Sequence, residues 1–301
     1  MQTTNPIKSS GSSRLGRVTF LDGQGELPML EINTAWSTAE IYLNGAHVTS
    51  FSKSGEPPLL FMSQCSRFAE GQPLRGGIPV IFPWFGPREG LAQHGFARNK
   101  TWEVKEVVPA PDGSVSVRLR LPDCPEASGF PPFTADYIVT VRETLKLELV
   151  VTNDSETEPL AFENCLHTYL AVGDISKISI SGLKDATYLD KVAHFTQRTE
   201  SSDALQITSE VDRVYVNTTS AVEVTDRQLQ RRLRIEKHGS LSTVVWNPWI
   251  AKAQQMPDFG NDEYLRMVCV ESGNVGPNQL TLPPHEVSKL TVELSSSPLA
   301  G

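Results

Sequence analysis

The sequence predicts an all-β protein, a large antiparallel β-sandwich with few and short helices. Apolar and polar residues alternate with a period of two, most clearly at 114–121, 145–150 and 290–294, as they do in strands with one buried face. No stretch has the i, i+3, i+4, i+7 spacing of an amphipathic helix. The sequence also lacks the regular alternation of strands and helices that would favour a parallel sheet.

Weaker alternating runs predict further strands, and clusters of Gly, Pro, Asn and Asp separate them as turns do. In chain order, the predicted strands are 39–43, 114–121, 145–150, 177–180, 205–207, 221–224, 233–235 and 290–294. Many short strands are typical of a two-sheet sandwich. The segment 122–132, rich in Pro and Gly, is expected to be a variable loop.

The domain organisation is expected to be simple: a disordered N-terminal tail, residues 1–16, followed by a single β-sandwich domain, residues 17–298. The chain has 301 residues, and folding at this length hides roughly 75% of the unfolded chain's surface. The Ser-rich tail without acidic residues faintly resembles a targeting segment, but a disordered tail is the preferred interpretation. No break in composition and no internal repeat marks a second domain.

Charge and hydropathy argue against several classes of protein. Lysine and arginine number 27 against 35 aspartates and glutamates, a net charge of −8, which argues against a nucleic-acid binder. No apolar run approaches 18 residues, and the N-terminus lacks the hydrophobic centre of a secretory signal. We therefore expect a cytoplasmic protein with no membrane partner. Without a long apolar edge, a monomer is expected.

Cysteine and histidine spacing predicts no metal site. The four cysteines lie far apart without a C-x-x-C pair, and the six histidines include no close pair, so reduced and mostly buried thiols are expected. The common nucleotide, hydrolase and zinc-protease motifs are missing. Asp258-Phe259-Gly260 resembles a kinase motif, but the other kinase signatures are absent.

The segment 71–105 reverses the sign of the protein's charge. Its five basic residues face two acidic ones, a balance of +3; the basic residues are Arg75, Arg88, Arg98, Lys100 and Lys105. An arginine fork in a cleft matches the oxygens of a phosphate or carboxylate. A solvated basic face is the alternative, although the Gly, Pro and aromatic residues between the charges indicate a structured loop region of the kind that often hosts sites.

Three further positions are candidates for chemistry. His167 lies in the apolar run 160–170, where it would be partly desolvated or simply a core histidine. Glu271 follows 267–270, which places its carboxylate at the end of a predicted buried strand. Burial there would raise its pKa and suit it to act as a base, whereas a solvated or salt-bridged carboxylate is the alternative. Trp246 and Trp249 flank Pro248, as a stacking wall for a sugar ring or as core residues.

Six short segments, in this order, resemble the aldose 1-epimerase superfamily and most closely its glucose-6-phosphate 1-epimerase branch, the hexose-6-phosphate mutarotases. They are Arg75-Gly76-Gly77-Ile78-Pro79, Phe82-Pro83-Trp84-Phe85-Gly86, Gln93-His94-Gly95-Phe96-Ala97-Arg98, Leu166-His167-Thr168-Tyr169, Val245-Trp246-Asn247-Pro248-Trp249 and Val270-Glu271-Ser272-Gly273. The strand-rich remainder fits the galactose mutarotase-like β-sandwich of that family. The resemblance favours a functional role for His167 and Glu271 over the structural alternatives.

The resemblance implies an isomerase that interconverts the α and β anomers of a small-molecule hexose 6-phosphate, with no cofactor and no metal. It implies that His167 is the general acid that protonates the ring oxygen, and that Glu271 is the general base that deprotonates the anomeric hydroxyl. Reference pKa values of about 6.5 and 4.3 let a protonated imidazole and an ionised carboxylate coexist near neutral pH.

The resemblance also implies substrate contacts from Arg75, Gln93, Arg98 and Asp212, with His94 as a second imidazole at the ring. Arg75 and Arg98 are expected at the phosphate or next to it. Two alternatives stay open. A mutarotase for unphosphorylated aldoses would not need the paired arginines, and a non-catalytic sugar-phosphate binding protein would not need both members of the acid–base pair.

Overall fold

Strands dominate the computed structural model, which describes residues 16–299. The first twelve strands are β1 (Arg17–Asp22), β2 (Pro28–Asn33), β3 (Ser37–Tyr42), β4 (His47–Lys53), β5 (Val80–Ile81), β6 (Glu103–Pro109), β7 (Val115–Arg120), β8 (Phe133–Val141), β9 (Leu145–Asn153), β10 (Leu160–Phe162), β11 (Asn164–Leu166) and β12 (Tyr169–Ala171). The next eleven are β13 (Ile178–Ser181), β14 (Thr187–Asp190), β15 (Thr196–Thr199), β16 (Ala204–Leu205), β17 (Val211–Val216), β18 (Val222–Asp226), β19 (Arg231–His238), β20 (Ser242–Asn247), β21 (Met267–Asn274), β22 (Leu280–Leu282) and β23 (Val287–Pro298). The predicted N-terminal tail lies outside the described residues except for Gly16.

Helices are few and short, as predicted. Within residues 16–299 there is one α-helix, α1 (Trp249–Ala253), and none of the helices there is long and apolar enough to cross a membrane. Single 3₁₀ turns occur at Gln24–Glu26, Ala97–Asn99, Pro125–Gly129, Ile175–Lys177, Glu263–Arg266 and Gly276–Asn278. One of them lies inside the segment 122–132, which was expected to be a loop.

Two large antiparallel sheets confirm the predicted β-sandwich. The nine-stranded sheet has the order β16-β13-β18-β19-β23-β9-β8-β7-β6, and the eight-stranded sheet has the order β15-β14-β17-β20-β21-β11-β5, with β12 also paired to β21. A four-stranded sheet, β1 to β4, and the pair β10-β22 complete the architecture. Buried apolar side chains of the three larger sheets form one cluster. The division of the chain into a tail and one domain stays a prediction.

The two large sheets differ in how well the sequence predicts their strands. Most of the predicted strands belong to the nine-stranded sheet, where β9 alternates between fully buried positions such as Leu145 and Leu147 and the partly exposed Lys146. In the eight-stranded sheet, by contrast, every residue of β20 and β21 is buried. A strand covered on both faces has no polar side to alternate with, so periodicity alone does not reveal most of this sheet.

Candidate active site

The register of the eight-stranded sheet assembles one polar face. Asp212 on β17 pairs with Trp246 on β20, which pairs with Cys269 on β21. One row further on, Val244 pairs with Glu271. Residues opposite each other on antiparallel strands project from the same face. These side chains therefore line the face turned away from the main core, which takes the alternate residues of β21.

Glu271 lies in the middle of β21, and the expectation that it ends a buried strand is wrong. The strand continues because Ser272 and Gly273 pair with Thr243 and with the neighbouring β11. The side chain of Asn274 is also satisfied inside the sheet, donating to Asn164 Oδ1 at 3.0 Å and to the Gly239 carbonyl at 2.8 Å. The Glu271 carboxyl is only 1% exposed.

His167 lies between β11 and β12, the two short strands that pair in succession with β21. Its backbone N–H donates to the Pro79 carbonyl at 3.1 Å. The imidazole Nε2 lies 3.3 Å from Glu271 Oε1, while Nδ1 is buried without a hydrogen-bond partner in the described part of the chain. The ring stacks on Tyr169, with centroids 4.8 Å apart and planes 13° apart, and meets Trp246 at 76°. The imidazole is thus held between aromatic rings against a carboxyl group.

Burial shifts the proton within this pair. It raises the pKa of the Glu271 carboxyl well above its usual range, and the nearby Asp212 adds to the effect. It lowers the pKa of His167 well below 6.5, and Arg75 and Arg98 add to that shift. Both shifts disfavour the charged forms, so burial favours a neutral imidazole and a protonated carboxyl over an imidazolium and a carboxylate. Both arrangements hold one proton on the pair and differ only in its position.

A cavity of about 190 Å³ opens in front of the pair. Six of the seven site residues predicted from the sequence line it: Arg75, Gln93, His94, His167, Asp212 and Glu271. The volume suits one small polar molecule. Trp246 is part of the wall, whereas Trp249 packs against Tyr264 at 5.2 Å and does not line the cavity, so only one of the two indoles is available for stacking on a ligand.

Arg75 is fixed by partners on both sides. Its Nε and Nη2 donate to Asp258 Oδ2 at 3.2 and 3.1 Å, and its Nη1 donates to Tyr169 Oη at 3.1 Å. The glycines that follow explain its position. Gly77 has φ +56°, and a Cβ there would lie 2.3 Å from the Val48 carbonyl oxygen, so only glycine lets this backbone pass close to β4.

Arg98, the seventh predicted residue, lies beside the cavity instead of lining it. Its Nη2 donates to the carbonyl of Gln93 at 2.8 Å, and its Nε is buried without a partner in residues 16–299. No carboxylate of the described chain lies within ion-pair distance of it. Burial lowers the pKa of Arg98 to about 10, so the group is still charged at neutral pH. An unpaired, partly buried guanidinium is a ready partner for an anion.

The rest of the basic segment is solvated or used elsewhere. Arg88 lies over the Trp84 ring at 4.9 Å, and Lys100 pairs with Glu126 at 2.7 Å. Lys105 pairs with Glu103 on the same strand. Of the five cations of the +3 segment, Arg75 lines the cavity and Arg98 lies beside it, while the other three lie elsewhere.

His94 is held as a neutral donor. Its Nδ1 accepts from the backbone N–H of Gly86 at 3.1 Å, which leaves the proton of a neutral ring on Nε2. Burial, and then Arg98, lowers its pKa well below 6.5. The ring meets His167 at 5.8 Å and Phe85 at 4.8 Å. This second imidazole can donate a hydrogen bond into the cavity but does not carry a charge.

Four further residues at the site were not predicted. Lys191 Nζ lies 3.0 Å from Asp212 Oδ2 and 5.4 Å above the Phe85 ring, and Lys252 pairs with Glu210 at 3.0 Å. Lys191 and Lys252 follow sequence segments that have no clear pattern of polar and apolar residues. Asp258 belongs to the kinase-like triplet and has no other signal of a site residue. Tyr169 had a usable signal, since it lies two residues from His167 in an extended segment and so shares its face.

The donor atoms of His167, Cys269 and Glu271 lie within 4.8 Å of one another. An imidazole, a thiol and a carboxyl are ligands that zinc accepts. However, burial raises the pKa of the Cys269 thiol well above its usual range, and the guanidinium groups nearby oppose a cation. The expected absence of a metal stays a prediction.

A buried imidazole–carboxyl pair at one end of a polar cavity, on the sheet of a β-sandwich, defines an enzyme that transfers protons on a small polar substrate. The chain belongs to the aldose 1-epimerase family, because the family model described as Aldose 1-epimerase matches residues 28–295.

Individual relatives extend this comparison. The chain is 35% identical over 269 residues to a protein of Cenchrus ciliaris, covering 86% of this chain and 82% of that protein. It is 34% identical over 258 residues to a protein of Escherichia coli strain K12, covering 84% and 85%. Both are provisionally named glucose-6-phosphate 1-epimerases. The crystal structure of a provisionally named mutarotase of Salmonella typhimurium matches with a TM-score of 0.85 and 29% identity over 97% of each chain.

Proposed function

We propose that this enzyme interconverts the α and β anomers of a hexose 6-phosphate by acid–base catalysis without a cofactor. One observation carries the proposal: an imidazole–carboxyl pair 3.3 Å apart shares its site with Arg98, a guanidinium that has no carboxylate partner in the described chain. The pair suits the proton transfers of mutarotation, and the free guanidinium suits a phosphate. The names of the relatives point to the same substrate.

The proposed reaction needs one proton on the pair. His167 donates it from Nε2 to the ring oxygen while Glu271 accepts the proton of the anomeric hydroxyl. The bond from C1 to the ring oxygen breaks, and C1 becomes an aldehyde. Rotation about the bond between C1 and C2 presents the other face, and closure reverses both transfers. Because both oxygens sit on one carbon, donor and acceptor must lie close together, and the 3.3 Å distance fits this requirement.

The other residues are proposed to bind the substrate. Arg98 contacts the phosphate with its unpaired donors, and Arg75 supports it from the cavity wall. Gln93 and the Nε2 proton of His94 bond to ring oxygens or hydroxyls. Asp212 accepts from a ring hydroxyl, oriented by its ion pair with Lys191. A neutral aldose would leave Arg98 unused, which favours the phosphorylated substrate over the unphosphorylated alternative.

The test is two-dimensional NMR exchange between the anomeric protons of glucose 6-phosphate and, separately, of glucose. Faster exchange of the phosphate ester with the wild-type protein, lost in Glu271→Gln, supports the proposal. Glu236→Gln on the outer face of β19 is the matched control, since that carboxylate is exposed and paired with Arg234. Equal acceleration of both sugars would favour a mutarotase for unphosphorylated aldoses. No acceleration of either would favour a binding protein.

We further propose that the enzyme acts as a monomer in the cytoplasm, without nucleic-acid or membrane partners. The net charge of −8 supports the absence of a nucleic-acid partner. Light scattering after size-exclusion chromatography tests the monomer directly, and a mass of twice 33.1 kDa would contradict it.

A further inference from the structure

Three cations surround the acid of the proposed reaction: Arg75, Arg98 and Lys191. Resting on the proposed function, we propose that the phosphate of the substrate takes part in the acid–base step. By neutralising these cations it lets the proton of the pair move from Glu271 to His167, so that a free dianion in the same place activates the enzyme toward a hexose without phosphate.

Contacts through Tyr169 connect one of these cations, Arg75, to the imidazole of His167. Arg75 donates to the hydroxyl of Tyr169 at 3.1 Å, and the Tyr169 ring is stacked on the imidazole at 4.8 Å. Tyr169 is buried, and it covers that side of the imidazole. Without water between the groups, the repulsion between guanidinium and imidazolium is poorly screened.

The charges at the site do not balance without a ligand. Arg75 is paired with Asp258 and Lys191 with Asp212, whereas Arg98 has no carboxylate partner in residues 16–299. A bound phosphate carries about −1.5 to −2 charges at neutral pH and would change the local balance from about +1 to between about −0.5 and −1. The titratable groups around the pair, from every element packed on it, are Arg75, His94, Arg98, Cys165, Tyr169, Lys191, Asp212, Asp258 and Cys269.

The direction of the proton shift follows from where the arginines act. Arg75, Arg98 and Lys191 all lower the pKa of His167, after burial, whereas the raised pKa of Glu271 is set first by burial and Asp212, with Lys191 opposing them. A dianion beside the guanidinium groups therefore stabilises an imidazolium more than it disfavours a carboxylate. One proton moves from Oε1 of Glu271 to Nε2 of His167, and no proton enters or leaves the site.

This arrangement makes the phosphate matter for turnover as well as for affinity. A bound glucose leaves the positive charge of Arg98 in place, so the imidazolium stays disfavoured and kcat is low. A shift of one pKa unit in His167 changes the population of its acid form about tenfold. Occupation of the anion site by a separate dianion is therefore expected to raise the turnover of glucose by about tenfold or more.

The test measures exchange of glucose anomers by NMR while sodium phosphite is added at constant ionic strength, with the enzyme-free rate subtracted at each concentration. We expect activation with wild type and with Arg234→Ala, whose exposed side chain lies on β19, and none with Arg98→Ala. Phosphite that only inhibits, or has no effect, would overturn the proposal, as would activation that survives in Arg98→Ala. Glucose 6-phosphate is the reference: if wild type fails to accelerate its exchange, the proposed function itself is wrong.

A second measurement tests the proton transfer without relying on the Arg98→Ala variant. In wild-type protein with ¹⁵N-labelled histidine, the ring nitrogens of His167, assigned by their loss in His167→Gln, are followed during phosphite addition. We expect them to move toward the imidazolium values, while those of His94 stay neutral because Nδ1 accepts from Gly86. Unchanged His167 shifts at saturating phosphite would contradict the proton transfer.

Discussion

His167 stands opposite Glu271 in the register of an interrupted antiparallel pair. The pairing of Cys165 with Gly273 and of Tyr169 with Cys269 brackets the two residues, and the N–H of Val270 donates to the carbonyl between the two short strands at 3.1 Å. The 3.3 Å distance between the functional groups is therefore set by sheet geometry and not by a loop. The proposed acid and base are therefore already positioned before a substrate arrives.

The first prediction concerns this pair. His167→Ala and Glu271→Gln should each lower kcat for glucose 6-phosphate by on the order of 10² or more, with little change in KM, because general acid and general base catalysis are each of this size. Anomer exchange measured by NMR gives both constants, and circular dichroism checks that the variants fold. A wild-type rate in His167→Ala would show that the acid is another group.

The second prediction concerns the anion site. Arg98→Ala should lower kcat/KM for glucose 6-phosphate by roughly 10- to 100-fold, since a hydrogen bond to a charged group contributes about 1.5–3 kcal/mol. The value for glucose should not fall, because Arg98→Ala also removes one of the positive charges that disfavour the His167 imidazolium, so the preference for the phosphate ester should shrink by at least a similar factor. If the ratio of the two substrates is unaffected, Arg98 does not bind the phosphate.

The third prediction separates positioning from stacking. Tyr169→Phe keeps the ring that stacks on His167 but removes the hydroxyl that accepts from Arg75. We expect KM to rise by about 2- to 10-fold, the effect of one hydrogen bond, with kcat close to wild type. Tyr169→Leu also removes the stacked ring and should lower kcat as well. Equal kinetic constants for the two variants would argue against this division.

The fourth prediction concerns pH and stability. Lys237 on β19 is 4% exposed, and its Nζ donates to the Ser242 carbonyl and to Thr243 Oγ1, both at 2.8 Å. Burial lowers its pKa from 10.5 to about 7. Between these values the unfolded chain binds one proton more than the folded protein. The free energy of unfolding should therefore rise with pH there, by up to about 1.4 kcal/mol per pH unit.

In the Lys237→Met variant, neither the folded nor the unfolded chain binds this proton. Urea unfolding of wild type and variant at several pH values between about 7 and 10.5 gives the difference in unfolding free energy, in which the titration of all other groups cancels. That difference should grow in favour of wild type as the pH rises. A constant difference would mean that Lys237 keeps an ordinary pKa in the folded protein.

The sequence was informative where side chains alternate or cluster in a known order. The alternation at 145–150 predicts β9 correctly, because that strand has one dry face. It does not reveal β20, which is buried on both faces. Six of the seven predicted site residues line one cavity, and five of them, all but Asp212, come from the ordered motifs. Lys191 and Asp258 were not predicted as site residues because they reach the site by tertiary contacts with Asp212 and Arg75. No local sequence pattern indicates such contacts.

The acid–base pair belongs to the centre of a sheet, while Gln93, His94 and Arg98 belong to the connection between β5 and β6. In the proposed mechanism, the groups that open the ring and three of the groups that bind the substrate therefore lie in different parts of the chain. Mutations in that connection can change which sugar is accepted without rebuilding the groups that open its ring. A protein divided in this way can acquire a new substrate preference through changes in one connection while the groups that carry out the reaction stay the same.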